Sequence, residues 1–422
     1  MKWYHKGLQN PWSGFDSQRP CNDISSFMSI EKGPQFYPGG EEPPQPESNI
    51  MDSRIQEKEH PEKNLMDSFN RLFYLLGKVV RENRGKLETE RPVRTLYTRA
   101  KRAELYKQFK RTRNRENRQK IVQEAKERDQ VLKEFLHQGD VGVSRPEIGN
   151  AKARFAVVNP PVEKEIKGEV PIVFIPGISN DLACVEQITQ EAALSGRKIA
   201  VIGYPSSFMG EASPEFLASC KESQNFKSHA TFFEDAIKKI VPDGNFELWG
   251  YSTGGPIVAE MLTDNKDFSE RVTNAALIAP AGVVTQNKAE FLLGIAKDLR
   301  GLIPGAHKNV LTDIVTGKGR KEHVAPEASG QRKIKDEVSG ILMDRIRRKS
   351  PCFDRMKVQE GGVITVVSYR GDDITKSRKL KVENPQVGEH IKLPGHHGAP
   401  LLHAPELVSR ISAAQEKSDT EQ

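Results

Sequence analysis

A serine flanked by glycines lies where one apolar run ends and the next begins. The stretch FELWGYSTGGPIVAE, Phe246 to Glu260, contains Gly250, Ser252 and Gly254 in the pattern Gly-x-Ser-x-Gly. The first run has the length and type of a buried strand, and the second, with a proline near its start, suits a helix. A tight strand-to-helix turn of this kind presents the serine beside a helix N-terminus, where N–H groups favour negative charge. The pattern therefore favours a nucleophilic serine, the alternative being a glycine-rich turn without chemistry.

A serine hydroxyl becomes an effective nucleophile only when a base accepts its proton and a carboxylate orients that base. In a parallel sheet these groups should follow the serine as acid and then histidine, each just past a strand. The predicted strand Val363–Tyr369 is followed by RGDDI, and the last predicted strand by PGHHG. We assign Asp373 as the acid and His397 as the base. Asp372 and His396, their immediate neighbours, remain alternatives, and each of these residues alone would be an ordinary loop residue.

Two backbone N–H groups would have to stabilise the negative oxygen that forms during such a reaction. The residue after the nucleophile, Thr253, would supply one of them. The loop after the predicted strand Val170–Ile175 would supply the other, and the N–H of Ile178 is the candidate because Gly177 allows close approach. An ordinary turn in which Asn180 or Ser179 caps a helix is the simpler interpretation of the same loop, and the two are compatible.

From residue 150 onwards, short apolar runs alternate with helix-compatible segments. This alternation predicts a doubly wound, mostly parallel α/β sheet. Residues 281–360 interrupt it with an apolar helix, Phe291–Ile303, basic glycine-containing segments and a second helix near Lys335–Arg347. We interpret this insertion as a helical cap over the carboxyl edge of the sheet, the alternative being a peripheral excursion. The predicted strands are Ala151–Val158, Val170–Ile175, Lys198–Tyr204, Phe246–Trp249, Val272–Ala279, Val363–Tyr369 and His390–Leu393, and the predicted helices outside the insertion include Asn180–Ser195, His229–Val241 and Pro405–Ala414.

The N-terminal third differs from the rest of the chain. Residues 1–60 are rich in Pro, Gly, Gln, Asn and Glu, which predicts a disordered or loosely docked segment. Residues 61–140 are predicted to form an α-helical extension, beginning with an apolar stripe from Leu65 to Leu76. That stripe fits packing on the rest of the protein better than a membrane-surface helix.

A basic helical arm is predicted from about Val93 to Gln138. Between Arg94 and Arg128 it has thirteen Lys or Arg and four Glu, an excess of nine positive charges in a chain whose net charge is +7. An anionic membrane or another polyanion would be attracted to residues 94–128. No nucleic acid is expected, because aromatic residues are not interleaved for base stacking. The simplest alternative is a solvated charged face.

The overall composition narrows the class of protein. Its 422 residues allow two or three domains, and the four cysteines are far apart, which disfavours a disulfide framework or a zinc site. No apolar run is long enough to cross a bilayer, and the N-terminus lacks the apolar core of a secretory signal. We therefore expect a cytoplasmic location. Specialised export would leave no sign in the sequence.

Residues from about 150 to 414 resemble the α/β-hydrolase superfamily. The similarity lies in PIVFIPGIS, GYSTGG, the strand that ends in RGDD, and LPGHHGAPLLHAPELVSRI. The resemblance implies an α/β-hydrolase fold with Ser252 as nucleophile, Asp373 as acid and His397 as base. It also implies an esterase or lipase that acts through an acyl-enzyme on a small acyl or lipid substrate, with no metal or cofactor. The alternative function is a catalytically silent scaffold whose basic arm binds a membrane surface, nucleic acid or protein. Ester, thioester and amide substrates are not distinguished at this stage.

Overall fold

The computed structural model describes residues 96–177, 185–207, 210–302 and 329–421. The predictions for residues 1–60, for the apolar stripe Leu65–Leu76, for Ile178 and for Asn180, the predicted helix cap, lie outside these ranges. So does the last residue of the predicted cap helix, Ile303.

One eight-stranded sheet organises the described part of the chain. Its strands are β1 (Gln138–Arg145), β2 (Gly149–Val158), β3 (Ile172–Ile175), β4 (Ile199–Ile202), β5 (Phe246–Tyr251), β6 (Val272–Ile278), β7 (Ile364–Tyr369) and β8 (Val387–Leu393). Their spatial order is β1-β2-β4-β3-β5-β6-β7-β8. Strands β1, β2 and β4 pair in antiparallel fashion, and all further pairs are parallel. The predicted mostly parallel α/β sheet is confirmed.

Helices cover both faces of this sheet. They are α1 (Leu96–Arg111), α2 (Arg115–Leu136), α3 (Glu186–Leu194), α4 (Pro214–Glu222), α5 (Lys227–Ile240), α6 (Gly254–Asp264), α7 (Lys266–Ser269), α8 (Lys288–Leu302), α9 (Ser329–Arg345), α10 (Ala399–Leu402) and α11 (Ala404–Glu421). Alternate residues of β3 enter opposite cores: Val173 and Ile175 pack with α5 and α6, whereas Ile172 and Phe174 pack with α2, α3 and α11. Burial on both faces explains why the central strands are uninterrupted apolar runs.

The sequence analysis missed strand β1, helix α4 and the two four-residue helices α7 and α10. Strand β1 forms a hairpin with β2, and its glycines and Asp140 give it a weak strand propensity. Helix α4 was also missed, although its start is well marked: Ser213 Oγ accepts a hydrogen bond from the Phe216 N–H (2.9 Å) and Pro214 occupies the first turn. Within the described residues the other predicted elements are present, with ends that differ by a few residues. The largest change is at the C-terminus, where α11 continues to Glu421.

The basic arm consists of α1 and α2, joined at Thr112–Asn114. Asn114 ends the turn, because its side chain accepts a hydrogen bond from the Asn117 N–H (3.2 Å) and so caps α2. The C-terminal half of α2 packs under the sheet through Phe135. Arg128, in the same half, forms an ion pair with Glu191 of α3 (2.7 Å). The C-terminal half of α2 therefore anchors the arm to the sheet, and the turn between α1 and α2 lies at the opposite end of α2.

The described parts of the 281–360 insertion contribute α8 and α9. Helix α8 lies against the loop after β7, since a Cβ on Gly294 would come within 2.3 Å of the Asp373 carbonyl oxygen. Helix α9 packs beside α4, where Arg345 donates hydrogen bonds to the carbonyls of Cys220 and Ser223. Helix α8 is thus at the carboxyl edge of the sheet. Among the helices that the structure describes, none combines the length and apolar character required to cross a membrane.

Candidate active site

Ser252 occupies the sharp turn between β5 and α6. Its φ of +55° lies in the left-handed region that residues with a side chain rarely adopt. Hydrogen bonds hold this conformation: the Ser252 N–H donates to the Ile278 carbonyl (2.9 Å), and the Ser252 carbonyl accepts from the N–H groups of Gly255 (3.1 Å) and Ala281 (2.9 Å). The backbone at this position is strained but firmly held, as is common at functional sites.

The glycines around Ser252 are required by close backbone approach. A Cβ on Gly254 would lie 2.2 Å from the Ile175 carbonyl oxygen of β3, and one on Gly250 would lie 2.6 Å from the Gly254 carbonyl oxygen. Neither neighbour is the end of a flexible side chain, so both positions exclude any larger residue. Close packing of this kind is what a nucleophile elbow would require.

His397 lies opposite Ser252, with its Nε2 2.9 Å from the serine Oγ. It follows β8, and its ring stacks on that of Tyr251, the last residue of β5, with centroids 5.4 Å apart and planes inclined by 20°. The Tyr251 hydroxyl donates a hydrogen bond to the His397 carbonyl (2.9 Å). The histidine is buried together with the serine, although the two residues are 145 positions apart in the chain.

Asp372, in the loop after β7, lies on the other side of the imidazole. Its Oδ2 is 3.3 Å from His397 Nδ1, and its side chain is fully buried. The same carboxylate accepts hydrogen bonds from the hydroxyls of Thr375 and Ser377 and from the N–H groups of Ile374 and Thr375. Burial alone would raise the pKa of Asp372, but His397 and these hydroxyl donors hold it well below its usual range. Asp372 therefore carries a negative charge at neutral pH.

Asp373, which the sequence analysis assigned as the acid, does not contact His397. Its carboxylate points outwards to Lys297 Nζ (3.3 Å) and Arg378 Nη2 (3.2 Å). Burial favours a higher pKa, but these two cations outweigh it and lower the pKa of Asp373. The assignment is corrected because the turn after β7 sends consecutive side chains in opposite directions, and the inward one belongs to Asp372.

Of the two adjacent histidines, the structure brings only His397 to the serine. The His396 ring is largely exposed and its Nδ1 lies 3.1 Å from the Gly371 carbonyl oxygen. This contact joins the loop after β8 to the loop after β7. The alternative of His396 as the base therefore has no support in the geometry.

The His397 imidazole has a raised pKa. Its burial lowers the pKa, but the negative charge of Asp372, its contact with Nδ1, and the charge of Asp298 together raise it. A carboxylate at Nδ1 also favours the tautomer that carries its proton there, which leaves Nε2 free to accept the serine proton.

The structure describes only one of the two residues predicted to donate an N–H to the oxyanion. Thr253 is fully buried immediately before α6, at the N-terminal end of that helix. Ile178 lies outside the described residues. The start of its loop is nevertheless fixed, because the Tyr204 hydroxyl donates a hydrogen bond to the Pro176 carbonyl (2.7 Å).

Asp298 is a residue of this site that the sequence analysis did not single out. It lies on α8 and is buried, and its two carboxylate oxygens accept hydrogen bonds from the backbone N–H groups of His397 and Gly398, each at 3.0 Å. A charged residue in a helix of mixed composition gives no sequence signal of this role. Within the described residues, no cluster of three or more His, Cys, Asp or Glu side chains could hold a metal ion.

Comparisons with known proteins give structural matches only. No protein-family model and no curated protein sequence matches this chain. A thermophilic esterase from Thermogutta terrifontis, solved with malate bound, is 13% identical over 66% of this chain and 99% of its own, with a TM-score of 0.43. An esterase from Exiguobacterium antarcticum is 14% identical over 62% of this chain and 95% of its own, with a TM-score of 0.40. A membrane phospholipase A, described as a bacterial virulence factor, is 12% identical over 83% of this chain and 99% of its own, with a TM-score of 0.44.

The fold assignment is based on the architecture itself. The described sheet has eight strands, and in their spatial order those from β4 to β8 are parallel. A strained turn with Ser252 follows β5, a loop with two aspartates follows β7, and a loop with two histidines follows β8. This sequence of features along the chain is that of the α/β hydrolases. The chain has the α/β-hydrolase fold.

Proposed function

We propose that the protein is a serine hydrolase that cleaves a carboxylic ester or a related acyl substrate. The observation that supports this most strongly is the chain of contacts from Ser252 Oγ to His397 Nε2 (2.9 Å) and from His397 Nδ1 to Asp372 Oδ2 (3.3 Å). A buried base held between a hydroxyl and an ionised carboxylate is what activation of a serine requires. A purely structural turn needs none of these contacts.

The reaction would begin with the transfer of the Ser252 hydroxyl proton to His397 Nε2. The serine oxygen then bonds to the acyl carbon, and the imidazolium returns the proton to the leaving group as the ester bond breaks. In the second half, His397 accepts a proton from water, whose oxygen attacks the acyl-enzyme and releases the acid. Asp372 stays ionised throughout and stabilises the positive imidazolium.

The negative oxygen of each tetrahedral intermediate would be held by the N–H groups of Thr253 and Ile178. Thr253 is suited to this because it stands at the N-terminal end of α6, where the helix dipole favours negative charge. The role of Ile178 is carried over from the sequence analysis. The hydrogen bond from Tyr204 to the Pro176 carbonyl supports it, because it fixes the strand end from which that loop starts.

The substrate class is proposed from the helix that covers the site. Helix α8 contacts both the acid loop and the histidine loop, and it exposes Leu293 (58% exposed). Helix α8, KAEFLLGIAKDLRGL, is rich in apolar residues, and on this basis we propose a hydrophobic acyl group over a charged one.

Hydrolysis of p-nitrophenyl esters with acyl chains of 2 to about 16 carbons would test the proposal. We expect hydrolysis that depends on chain length, that Ser252→Ala abolishes, and that needs no added metal. If Ser252→Ala retained the wild-type rate, the serine hydrolase assignment would be wrong. If the folded wild-type protein cleaved none of these esters, and none of the corresponding thioesters and amides, the silent scaffold would be favoured.

A second proposal concerns the turn that joins α1 and α2. We propose that this hairpin tip, residues 106–120, docks on the anionic surface of a membrane. The tip has seven Lys or Arg and one Glu, a local charge of +6. Most of these cations are exposed, and in the described part of the chain Lys107, Lys110, Arg111, Arg113 and Arg115 form no ion pair with a carboxylate. Arg128, elsewhere on the arm, is neutralised by Glu124 and Glu191.

A bilayer fits this tip better than nucleic acid does. The two aromatic rings at the tip are each covered by a cation of the same hairpin: Lys110 lies over Tyr106 (4.5 Å) and Arg118 over Phe109 (5.1 Å). They are therefore unsuited to form a ladder for base stacking. A half-exposed tyrosine among cations suits the headgroup region, where amphipathic rings and basic side chains accumulate.

Sedimentation with vesicles would test the docking surface. The full chain should bind vesicles that contain phosphatidylglycerol and not vesicles of pure phosphatidylcholine, and 0.5 M salt should release it. Reversal of Arg111, Arg113 and Arg115 to Glu should weaken binding by about 100-fold or more, at about 1 kcal/mol per charge. Reversal of three exposed lysines elsewhere, Lys167, Lys198 and Lys349, is the matched control. Equal weakening by both triple variants, or binding to duplex DNA but not to vesicles, would overturn the proposal.

A further inference from the structure

Asp298 brings a second carboxylate to the histidine from outside the sheet. It is 3% exposed and belongs to helix α8. Ser252, Asp372 and His397, in contrast, lie in loops that follow strands of the sheet. Its Oδ1 accepts the N–H of His397 and its Oδ2 accepts the N–H of Gly398, both at 3.0 Å. One carboxylate therefore binds two consecutive peptide groups of the histidine loop.

This arrangement needs an acid and not just a hydrogen-bonding side chain. Both oxygens of Asp298 act as acceptors towards backbone donors, whereas an asparagine would turn its NH₂ group towards one of those two N–H groups. A buried donor facing a donor costs free energy, because neither can be solvated. The site is therefore built for the ionised form of Asp298.

The charged and titratable groups around the His397 imidazole come from five elements. Tyr251 of β5 stacks on the ring. Asp372 faces Nδ1 from the loop after β7, Ser252 faces Nε2 from the elbow, and Asp298 approaches from α8. On its own loop His396 is exposed, with its Nδ1 3.9 Å from Asp298 Oδ1. Burial raises the pKa of Asp298 above its usual value, and His397 and the two backbone donors offset only part of that rise. Lys297 of α8 and Arg378, which follows the acid loop, bind Asp373 instead.

We infer that Asp298 is a positioning residue that anchors the histidine loop to α8 and, with Asp372, stabilises the protonated imidazole of His397. The inference deepens the proposed function and rests on it for its catalytic consequence. When Ser252 gives its proton to Nε2, His397 becomes positive near two carboxylates from different elements, Asp372 of the loop after β7 and Asp298 of α8. Because Asp298 is part of the inserted helix, the orientation of the base depends on the docking of that helix on the sheet.

Direct titration of the imidazole tests the inference without reference to any substrate. Selectively ¹³C-labelled histidine would be followed by NMR in the wild type, in Asp298→Asn and in the matched control Asp267→Asn, an exposed acid on α7. Loss of the Asp298 charge should weaken proton binding by His397 by about threefold to tenfold, because a neighbouring charge has an effect of this order. Asp267→Asn should leave it unchanged. Equal titration of His397 in all three proteins would overturn the inference.

Kinetics supply the second arm. Asp298→Asn should reduce kcat by about tenfold or more with a smaller change in KM, and should shift the acid limb of kcat/KM to lower pH. Asp298→Glu, which keeps the charge, should restore the wild-type pH midpoint. A wild type that titrates as expected but cleaves no acyl substrate would count against the proposed function alone, whereas an unshifted midpoint in an active Asp298→Asn would count against this inference alone.

A measurement on the wild type keeps the inference testable if Asp298→Asn fails to fold. The amide hydrogens of His397 and Gly398 should exchange slowly, because both are bonded to a buried carboxylate. The exposed loop around Gly168 supplies freely exchanging amides for comparison. Exchange of the two loop amides as fast as at Gly168 would overturn the inference.

Discussion

Asp372 Oδ2 lies 3.3 Å from His397 Nδ1, in a loop where the next residue, Asp373, faces away. This contact distinguishes two aspartates that are adjacent in the sequence and chemically identical. The hydroxyls of Thr375 and Ser377 bind the inward carboxylate, whereas Lys297 and Arg378 bind the outward one. The burial of Asp372 is tolerated because every side of the carboxylate has a donor.

The first prediction separates these two acids. Asp372→Asn should reduce kcat by about 10⁴-fold, because an amide no longer stabilises the correct tautomer and charge of His397. Asp373→Asn should change kcat by less than about threefold, since it removes only partly exposed ion pairs of the kind that contribute about 0–1 kcal/mol. Steady-state kinetics on the best ester of the chain-length series would measure both, with circular dichroism as the folding control. The reverse ranking would return the acid role to Asp373.

The second prediction separates the adjacent histidines. His397→Gln should reduce kcat by roughly 10⁴-fold because it removes the general base. His396→Gln should stay within about fivefold of the wild type, because the exposed ring loses one contact with the Gly371 carbonyl. Each of the two variants serves as the matched control for the other. Similar losses in both would show that the loop as a whole, and not one imidazole, is needed.

The third prediction is the direction of the pH dependence. His397 must be neutral to accept the serine proton, and its pKa is raised by Asp372 and Asp298 against the effect of burial. The acid limb of kcat/KM should therefore have its midpoint above about 6.5, the ordinary value for histidine. The rate should fall as the pH decreases through that midpoint. A midpoint below about 6 would mean that burial outweighs both carboxylates.

The fourth prediction concerns the elbow. In Gly254→Ala the new methyl group would collide with the Ile175 carbonyl, so β3 and α6 must separate. We expect a loss of about 1–3 kcal/mol of unfolding free energy and of most activity. Gly142→Ala, in an exposed strand position with no heavy atom near the added Cβ, is the matched control and should fall within about 0.5 kcal/mol. Denaturant melts would measure both, and an equally stable Gly254→Ala would contradict the described turn.

The sequence predicted the sheet and the serine turn well because both depend on local signals. Uninterrupted apolar runs specify strands that are buried on both faces, and the glycines around Ser252 specify a turn with no room for side chains. The order of serine, acid and histidine along the chain then indicated which loops should converge. The predictions of the strands, of the serine turn and of the order of these residues required no knowledge of contacts between distant parts of the chain.

The failures arose where a tertiary contact decides the outcome. Whether Asp372 or Asp373 points inwards depends on how the loop after β7 packs against β8 and α8, which no pattern of adjacent residues reveals. Asp298 was overlooked for the same reason, because its partners lie about a hundred positions away in sequence. Strand β1 was missed because the partner strand β2 compensates for its poor intrinsic propensity.

The most direct test of the account is covalent labelling of Ser252 with a fluorophosphonate, followed by mass spectrometry of the intact protein and its peptides. The reagent should add once to the wild type, on the peptide that contains Ser252. Ser252→Ala should not be labelled, and Asp372→Asn should react much more slowly than Asp373→Asn. Folded wild-type protein that remains unlabelled, or a label that persists in Ser252→Ala, would contradict the claim that this serine is an activated nucleophile.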